Sequence, residues 1–249
     1  ASLLTTSGST TRLGGSSNYT GLTVVEEGAS LIALNELALS DESEHTIRGS
    51  LELGEGDGRQ RVKKLNLEGG VISEGTLSTK KGLFSSGGDI YAKLTDSSEA
   101  GGLTITGGVT TLYAVGSDYS GDTTVEVGTL RAGADGVLSS NSKTTTIADL
   151  GVLDLNGTNQ DLLDVHLKGG LLDGGNGILN AKGIISWGGT VRDLGGLLRG
   201  VGGGEFGSFE VRDAVTIFSG TNSFRGTLDV VGGEVRAAND FSFSRDIKT

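Results

Sequence analysis

The sequence predicts an all-β protein whose short strands are stacked in a parallel β-solenoid. Three observations support this fold class. One phrase of sequence recurs after 100 residues, short strand patterns fill the chain between turns, and glycine supplies 45 of 249 residues while proline and cysteine supply none. Glycine at this level, without a strict three-residue period, is typical of many tight turns, because glycine adopts positive φ at little steric cost.

The repeated phrase reads "SNYTGLTVVEEG" from Ser17 and "SDYSGDTTVEVG" from Ser117. An aromatic residue and two glycines keep their places in both copies, and the matched sets are Tyr19, Gly21 and Gly28 and then Tyr119, Gly121 and Gly128. A third, weaker copy, "NSFRGTLDVVGG", has Phe224 at the position of the tyrosine and Gly226 at the position of the first glycine. Copying of this kind indicates structure, so we expect each of these residues to fill the same slot in its coil.

The repeat continues beyond this phrase. "SLELGEG" from Ser50 faces "VLDLNGT" from Val152, and "LNLEGGVI" from Leu65 faces "VHLKGGLL" from Val165. Between these two phrases the first copy is two residues longer, in its most charged part. We therefore predict one β-helical fragment over 1–249, with units at approximately 17–116 and 117–219 and a partial unit at 220–249.

The local pattern inside each unit is that of short strands. Segments such as "TTVEVGTLRA", "GVLDLNG" and "TLDVVGGEVRA" alternate apolar with polar residues and are broken by Gly, Asn or Asp. No segment carries an apolar stripe of helical period, and each glycine would cost a helix about 1 kcal/mol relative to alanine.

Regular short strands can close into a barrel, a sandwich or a solenoid. A membrane barrel needs aromatic girdles, and 12 aromatic residues (one Trp, four Tyr and seven Phe) are too few. A sandwich gives no reason for sequence to be copied at 100 residues. In a solenoid, by contrast, each coil rests on the one below at about 4.8 Å, so coils of roughly 20–25 residues give about ten rungs of like side chains.

The repeated phrases resemble a known family. "SSNYTGLTVVEEGASL" and "GSDYSGDTTVEVGTLRAG" are similar to the autotransporter-associated β-strand repeat, an aromatic residue, Thr and Gly followed by "T-x-V-x-x-G-x-L". "GVLDLNGTNQDLLDVHLKGG" resembles the "L-D-L-N-G-x-N-Q" coil that commonly follows it. The resemblance to passenger regions of bacterial type V autotransporters covers most of the chain and is weakest over 74–100 and 180–205.

The resemblance implies a right-handed parallel β-helix that is exported across the outer membrane and displayed on the bacterial surface or secreted. Passengers of this family are mostly adhesins, aggregation factors or toxins, and some carry proteases. The translocating barrel would lie outside this chain. Because the sequence begins at Ala1 and contains no methionine, we interpret it as a processed piece of a longer protein.

Charge restricts the expected partners. The formal net charge is −11, which disfavours nucleic acid and an anionic membrane surface, since both need clustered cations. No segment approaches the length of apolar sequence that a membrane helix needs. With no cysteine, disulfides, thiolate metal sites and cysteine nucleophiles are excluded.

Catalytic signals are weak. The two histidines are His45 and His166, and no serine lies in a "GDSGG"-like sequence that would make it a protease nucleophile. We therefore expect a structural or merely exposed role for each histidine. Paired carboxylates for polysaccharide chemistry are harder to dismiss, because Asp154, Asp161, Asp164 and Asp173 fall in one region. Glu52, Glu55 and Asp57 form a second group. Near the aspartates, Trp187 is the aromatic residue on which a sugar ring could stack. We predict no catalytic site, no cofactor and no dedicated metal site.

The best candidate for a binding site is a basic strip in "GRQRVKKLN". Arg59, Arg61 and Lys63 occupy alternate positions, hence one face of an extended segment, and Lys64 lies beside them. In an acidic protein such a strip could engage sulfated glycans through charge-assisted bonds. An ordinary solvated loop, balanced by the acidic residues nearby, is the competing interpretation.

Three functions stay open at the level of sequence. The first is a non-enzymatic surface passenger that binds host-surface glycans, matrix proteins or a second copy of itself. The second is an inert stalk or autochaperone segment that carries a functional head located elsewhere. The third, which the sequence favours least, is a β-helical enzyme acting on polysaccharide.

Overall fold

The structure is a computed structural model that describes residues 4–6, 8–54, 58–96, 99–197, 207–223 and 226–239. These residues contain strands and turns and no helix. No membrane-spanning helix is therefore present in the part of the chain that the structure describes.

The described residues form 26 strands. In chain order they are β1 (Leu4–Thr6), β2 (Thr10–Leu13), β3 (Thr23–Val25), β4 (Ser30–Ala33), β5 (Glu44–Ile47), β6 (Ser50–Glu52), β7 (Arg59–Val62), β8 (Lys64–Leu67), β9 (Val71–Ser73), β10 (Thr76–Thr79), β11 (Leu83–Ser85), β12 (Gly88–Ile90), β13 (Lys93–Thr95), β14 (Leu103–Ile105), β15 (Val109–Leu112), β16 (Thr123–Ala132), β17 (Thr144–Asp154), β18 (Gln160–Lys168), β19 (Leu171–Asp173), β20 (Ile178–Ser186), β21 (Gly189–Arg192), β22 (Gly196–Leu197), β23 (Ser208–Arg212), β24 (Val215–Ser219), β25 (Thr227–Val231) and β26 (Glu234–Ala237).

These strands wind into a right-handed parallel β-helix of about 11 turns, which confirms the predicted fold class. Each turn runs along a first side, then a second side, then a third side. The first side begins with β1, β3 and β5, and the second with β2, β4 and β6. Every pairing between strands is parallel, so at about 4.8 Å per turn the described rod is roughly 50 Å long.

Inward-facing residues stack in columns, as expected for in-register parallel strands. One column on the first side is fully buried through ten consecutive turns and consists of Val25, Ile47, Leu67, Ser85, Ile105, Val125, Ile147, Leu167, Ser186 and Val211. The second side contributes parallel columns of Leu, Ile and Val, with Phe218 near the end. Together these columns form one continuous core.

The third side is less regular than the other two. It is stranded in two places, first in β7, β10 and β13 and later in the amino-terminal parts of β18 and β20 with β22. Elsewhere it consists of turns. The longest strands bend around a corner of the solenoid: β16 and β17 each pass from the first side to the second.

Two buried glutamines hold the third side, and they are 100 residues apart. Gln60 accepts a hydrogen bond from the Leu39 amide at 3.0 Å and donates to the Asn35 carbonyl at 2.7 Å. Gln160 accepts from the Val137 and Leu138 amides, both at 3.1 Å, and donates to a carbonyl at 2.7 Å. Because the preceding turn lacks a strand there, the side-chain amide replaces the missing backbone ladder.

The repeat extends, at an offset of 101 residues, into the segments that resemble the autotransporter repeat least. Two serines of the first-side column, Ser85 and Ser186, each lie 2.7 Å from a buried threonine hydroxyl, that of Thr110 and Thr216 respectively. Each serine precedes a pair of glycines with positive φ, in "SSGGDI" and "SWGGTV". The two stretches therefore form equivalent turns, although their surface residues differ.

The acidic segment "SDESEHTIR" also has a structural counterpart in the second unit. Ser40 and Ser43 form a turn in which the Ser43 amide donates to the Ser40 carbonyl at 3.3 Å. Ser139 and Ser142 form the same turn at the same distance. The equivalence was hidden in the sequence because the residues between and after these serines differ in charge.

We expect Gln160→Leu to lower the free energy of unfolding by about 3 kcal/mol, because two buried amides and one carbonyl lose their partner. Urea denaturation monitored by circular dichroism measures this change. Lys182→Ala, an exposed position one turn away, is the control and should change stability by less than about 0.5 kcal/mol. An equal effect of the two substitutions would contradict the role assigned to the buried amide.

Candidate functional site

The repeated aromatic residues lie inside the coil. The Tyr119 side chain is 3% exposed, and its hydroxyl lies 2.8 Å from the Thr123 hydroxyl. Burial raises the pKa of Tyr119 to about 12. Tyr19 occupies the corresponding position and accepts a hydrogen bond from the Thr23 hydroxyl at 3.0 Å. Both hydroxyls therefore satisfy a threonine hydroxyl of the coil, and Tyr119 is buried whereas Tyr19 is partly exposed.

The repeated glycines also occupy corresponding positions. The carbonyls of Gly21 and Gly121 accept hydrogen bonds from the hydroxyls of Ser43 and Ser142 respectively. Gly28 and Gly128 have positive φ values of 74° and 88°, which a side chain would disfavour. In the third copy, Gly226 directly precedes β25 and is half-buried, whereas Phe224 lies outside the described residues.

His45 departs from the repeat in one chemically important way. It pairs with Thr23 across the first side, where Thr145 pairs with Thr123 in the second unit. Its Nε2 lies 3.2 Å from the Tyr19 hydroxyl, and its Nδ1 has no hydrogen-bond partner among the described residues. Burial lowers the pKa of His45 to about 4, with the backbone of Ser43 opposing the shift. His45 is therefore a neutral interior residue at pH 7.

The four clustered aspartates do not converge on one site. Asp154 and Asp173 are neighbours on the outer face of the second side. Asp154 binds the Arg131 guanidinium at 2.8 Å and Asp173 binds Arg192, so each carboxylate has its own cation. Both side chains are 16% exposed.

The remaining predicted carboxylates lie elsewhere. Asp161 is on the third side, where it accepts a hydrogen bond from the Asn180 amide at 2.7 Å. Asp164 is on the first side, opposite Gly183. Glu52 ends β6 on the second side, and Glu55 and Asp57 lie outside the described residues.

His166 belongs to an aromatic and cationic cluster on the outer face of the first side. Its ring meets the Trp187 ring edge-on, with centroids 5.2 Å apart. Lys168 and Arg212 come from the turns on either side of Trp187, at 5.6 and 5.9 Å from the ring centroid. The pKa of His166 is lowered by burial and by Lys168. Contacts within this cluster link three adjacent turns.

The basic strip is divided by a corner of the solenoid. Arg59 and Arg61 lie on the outer face of β7, on the third side, as their alternate spacing predicts. Lys63 lies after β7 ends, in the corner, where its ammonium is 3.4 Å from Glu44. Lys64 begins β8 on the first side and lies over the Phe84 ring at 4.4 Å. The four cations therefore wrap around an edge of the rod instead of sharing one face.

Other cations extend the basic part of the third side. Thr76 stands between Arg59 and Lys93 in one column across three turns. Lys93 is 3.4 Å from Asp118, and Lys80 contacts both Asp41 and Glu42. These lysines are partly neutralised. Sequence reasoning missed them because their neighbours in the column come from turns 17 residues apart.

A second feature missed from the sequence is a pair of exposed tyrosines. The Tyr91 and Tyr113 rings are parallel within 4° and their centroids are 4.3 Å apart. They follow β12 and β15 on the second side, and they are 49% and 37% exposed. In the sequence, the one indication of this contact is that the two tyrosines are 22 residues apart, which is within the expected length of one coil.

Comparisons with protein-family models, with curated proteins and with solved structures found no significant match. Within the described residues, no group of three or more His, Asp and Glu side chains is placed to hold a metal ion.

We expect protein stability to fall as the pH is lowered from 6.5 towards 4, because an unfolded chain protonates His45 in this range and the folded chain does not. The pKa difference corresponds to about 3 kcal/mol in the free energy of unfolding. His45→Thr, which installs the residue of the second unit, should remove this dependence. Urea titrations at several pH values measure it, with His166→Asn as control, and parallel curves for wild type and His45→Thr would contradict the assignment.

Proposed function

We propose that this chain is the β-helical binding segment of a non-enzymatic bacterial surface passenger, and that it attaches to anionic glycans on host surfaces. The proposal depends on one observation, which is that Arg59 and Arg61 form no ion pair with a described residue. Ten ion pairs link described side chains, and neither arginine takes part in one. In a chain of net charge −11, these two arginines lie together on the outer face of β7 without an ionic partner among the described residues.

The chemistry of these arginines suits a sulfated or carboxylated glycan. A guanidinium binds two oxygens of a sulfate or carboxylate at once, and such charge-assisted bonds are the strong class of hydrogen bond. The Nε of Arg61 is buried and has no partner among the described residues, so its exposed end carries the donors available to a ligand. Thr76 beside Arg59 adds a hydroxyl.

The remaining cations of the strip have secondary roles. Lys63 is held by Glu44, and Lys64 is held over Phe84. Both can still add to the local positive potential at the corner, which guides a polyanion to the arginines. Arg59 and Arg61 should therefore account for affinity, and the lysines for the rate of association.

The arrangement of carboxylates supports a non-enzymatic role. A glycosidase needs one carboxyl group that is a proton donor and another that is a base or nucleophile. Asp154 and Asp173 are instead each committed to an arginine on a flat outer face. Export to the bacterial surface is proposed from the resemblance to autotransporter passengers, and the repetitive, cysteine-free chain suits a route that exports unfolded polypeptide.

We expect Arg59→Glu with Arg61→Glu to reduce binding to mammalian cell monolayers and to immobilised heparin by about tenfold, if each contact contributes ~0.7 kcal/mol. Labelled protein is measured with and without heparinase treatment and at two salt concentrations, because screening weakens such contacts. Lys143→Glu with Lys182→Glu is the matched control, since both lysines are exposed and the charge change is identical.

The outcomes separate the competing functions. Saturable binding that is unchanged by heparinase and by both double substitutions would still indicate an adhesin, but it would exclude Arg59 and Arg61 as the binding site. Binding to neither cells nor heparin, by a folded protein, would favour an inert stalk. Concentration-dependent dimers in analytical ultracentrifugation would favour attachment to a second copy of the chain.

A further inference from the structure

The two units can be compared turn by turn, so a position at which they differ is not required by the coil itself. One such difference is an insertion. The first unit reads "TIRGSLEL" from Thr46 and the second reads "TIADLGVLDL" from Thr146. Asp149 and Leu150 are the two additional residues, and they lie in the corner between the first and second sides.

This insertion changes the local strand register. The pairing of β16 with β17 shifts between Val125 and Val127, and Val127 then faces Leu150. The Leu150 side chain is 68% exposed and that of Val127 is 43% exposed. Two large apolar side chains are thus adjacent and open to solvent at this corner.

The same corner of the first unit is polar and carries solvent-exposed ion pairs. Arg48 there binds Glu26 at 3.0 Å and Glu68 at 2.8 Å, so three turns are joined by ion pairs. In the second unit the position of Arg48 is taken by Ala148, and the position of Glu27 by Val127. The exchange of ion pairs for exposed apolar groups gives no evident gain to the isolated fold, which indicates a binding role.

A shallow depression of about 380 Å³ adjoins the insertion. Its apolar part is formed by Leu150, Val152 and Leu171. Three glycines, Gly151, Gly169 and Gly170, also line it, and Gly151 and Gly170 are buried where a Cβ would meet the backbone of a neighbouring turn. A shallow depression with both apolar and polar lining suits a side chain that has an apolar stem and a charged end.

The polar edge of the depression contains one aspartate and one arginine, Asp149 and Arg192. Arg192 lines it, but its guanidinium is bound to Asp173. Asp149 lies against Gly169, with its Oδ1 2.8 Å from where a Cβ would stand. The Asp149 carboxylate makes no ion pair with a described residue and is exposed. Thr190 and Ser219 add hydroxyls.

We infer that this corner binds an extended segment of another protein through a lysine or arginine side chain flanked by aliphatic residues. The apolar stem of such a side chain packs on Leu150, Val152 and Leu171, and its charge is met by Asp149. This site is separate from the arginines of the proposed glycan site and takes a ligand of opposite charge.

The probes are three short capped peptides: acetyl-Leu-Lys-Leu-amide, acetyl-Leu-Glu-Leu-amide and acetyl-Gly-Lys-Gly-amide. Each is titrated into the full chain while the methyl signals of Leu150, Val152 and Leu171 are followed by NMR. The lysine peptide with leucines should bind most tightly, and these three methyl groups should shift more than those of the buried core. Replacing its lysine by glutamate, or its leucines by glycine, should each weaken binding at least about fivefold.

Three variants complete the test. Asp149→Asn should weaken the lysine peptide about fivefold, whereas Asp135→Asn, an exposed aspartate on the third side, should not. Deletion of Asp149 and Leu150 should abolish binding and still fold, because the first unit forms this corner without them. Heparin binding should be unchanged in all three, which separates this site from the proposed function. Equal affinity for the lysine and glutamate peptides, or unchanged affinity in the deletion variant, would overturn the inference.

Discussion

The backbone hydrogen bonds between successive parallel turns determine most of the structure. On the first and second sides, each strand inside the stack pairs with the strands of the preceding and following turns, so a residue's position along its side fixes which residues are above and below it. Interior columns of Leu, Ile and Val follow directly, because an inward position stays inward for as long as the register holds. The buried amides of Gln60 and Gln160 belong to the same constraint, since they complete the ladder where the third side has no strand.

Much of the fold could be predicted from the sequence, because it depends on repetition. The tyrosine and glycine positions were identified by their spacing alone. The tyrosine–threonine hydrogen bonds and the serine hydrogen bonds to the carbonyls of Gly21 and Gly121 are equivalent in the two units. Gln60 was not identified, since "RQRV" looks like a charged loop and the partners of its amide lie in the preceding turn. The corner at Lys63 was also not identified, because alternation does not show where a strand ends.

The candidate sites were harder to predict because they occur where the repeat is broken. The change of offset from 100 to 102 residues between Gly128 and Val152 was visible in the sequence, but it did not show which residues had been added. Strand register identifies them as Asp149 and Leu150, in a corner. Corners tolerate such insertions because the next strand resumes its place in the column, as Leu153 does above Leu130. The flat sides have no such freedom, since an additional residue within a strand would turn its inward side chains outward.

The position of Trp187 has a consequence for how unfolding is observed. It is the single tryptophan of the chain and lies in a late turn, between Lys168 and Arg212. In a solenoid each turn contacts mainly its neighbours, so the two ends of the rod need not separate from the stack together. Tryptophan emission is thus a local signal from the carboxyl-terminal turns. Circular dichroism averages over all turns, and a difference between the two midpoints would reveal the end from which the rod unravels.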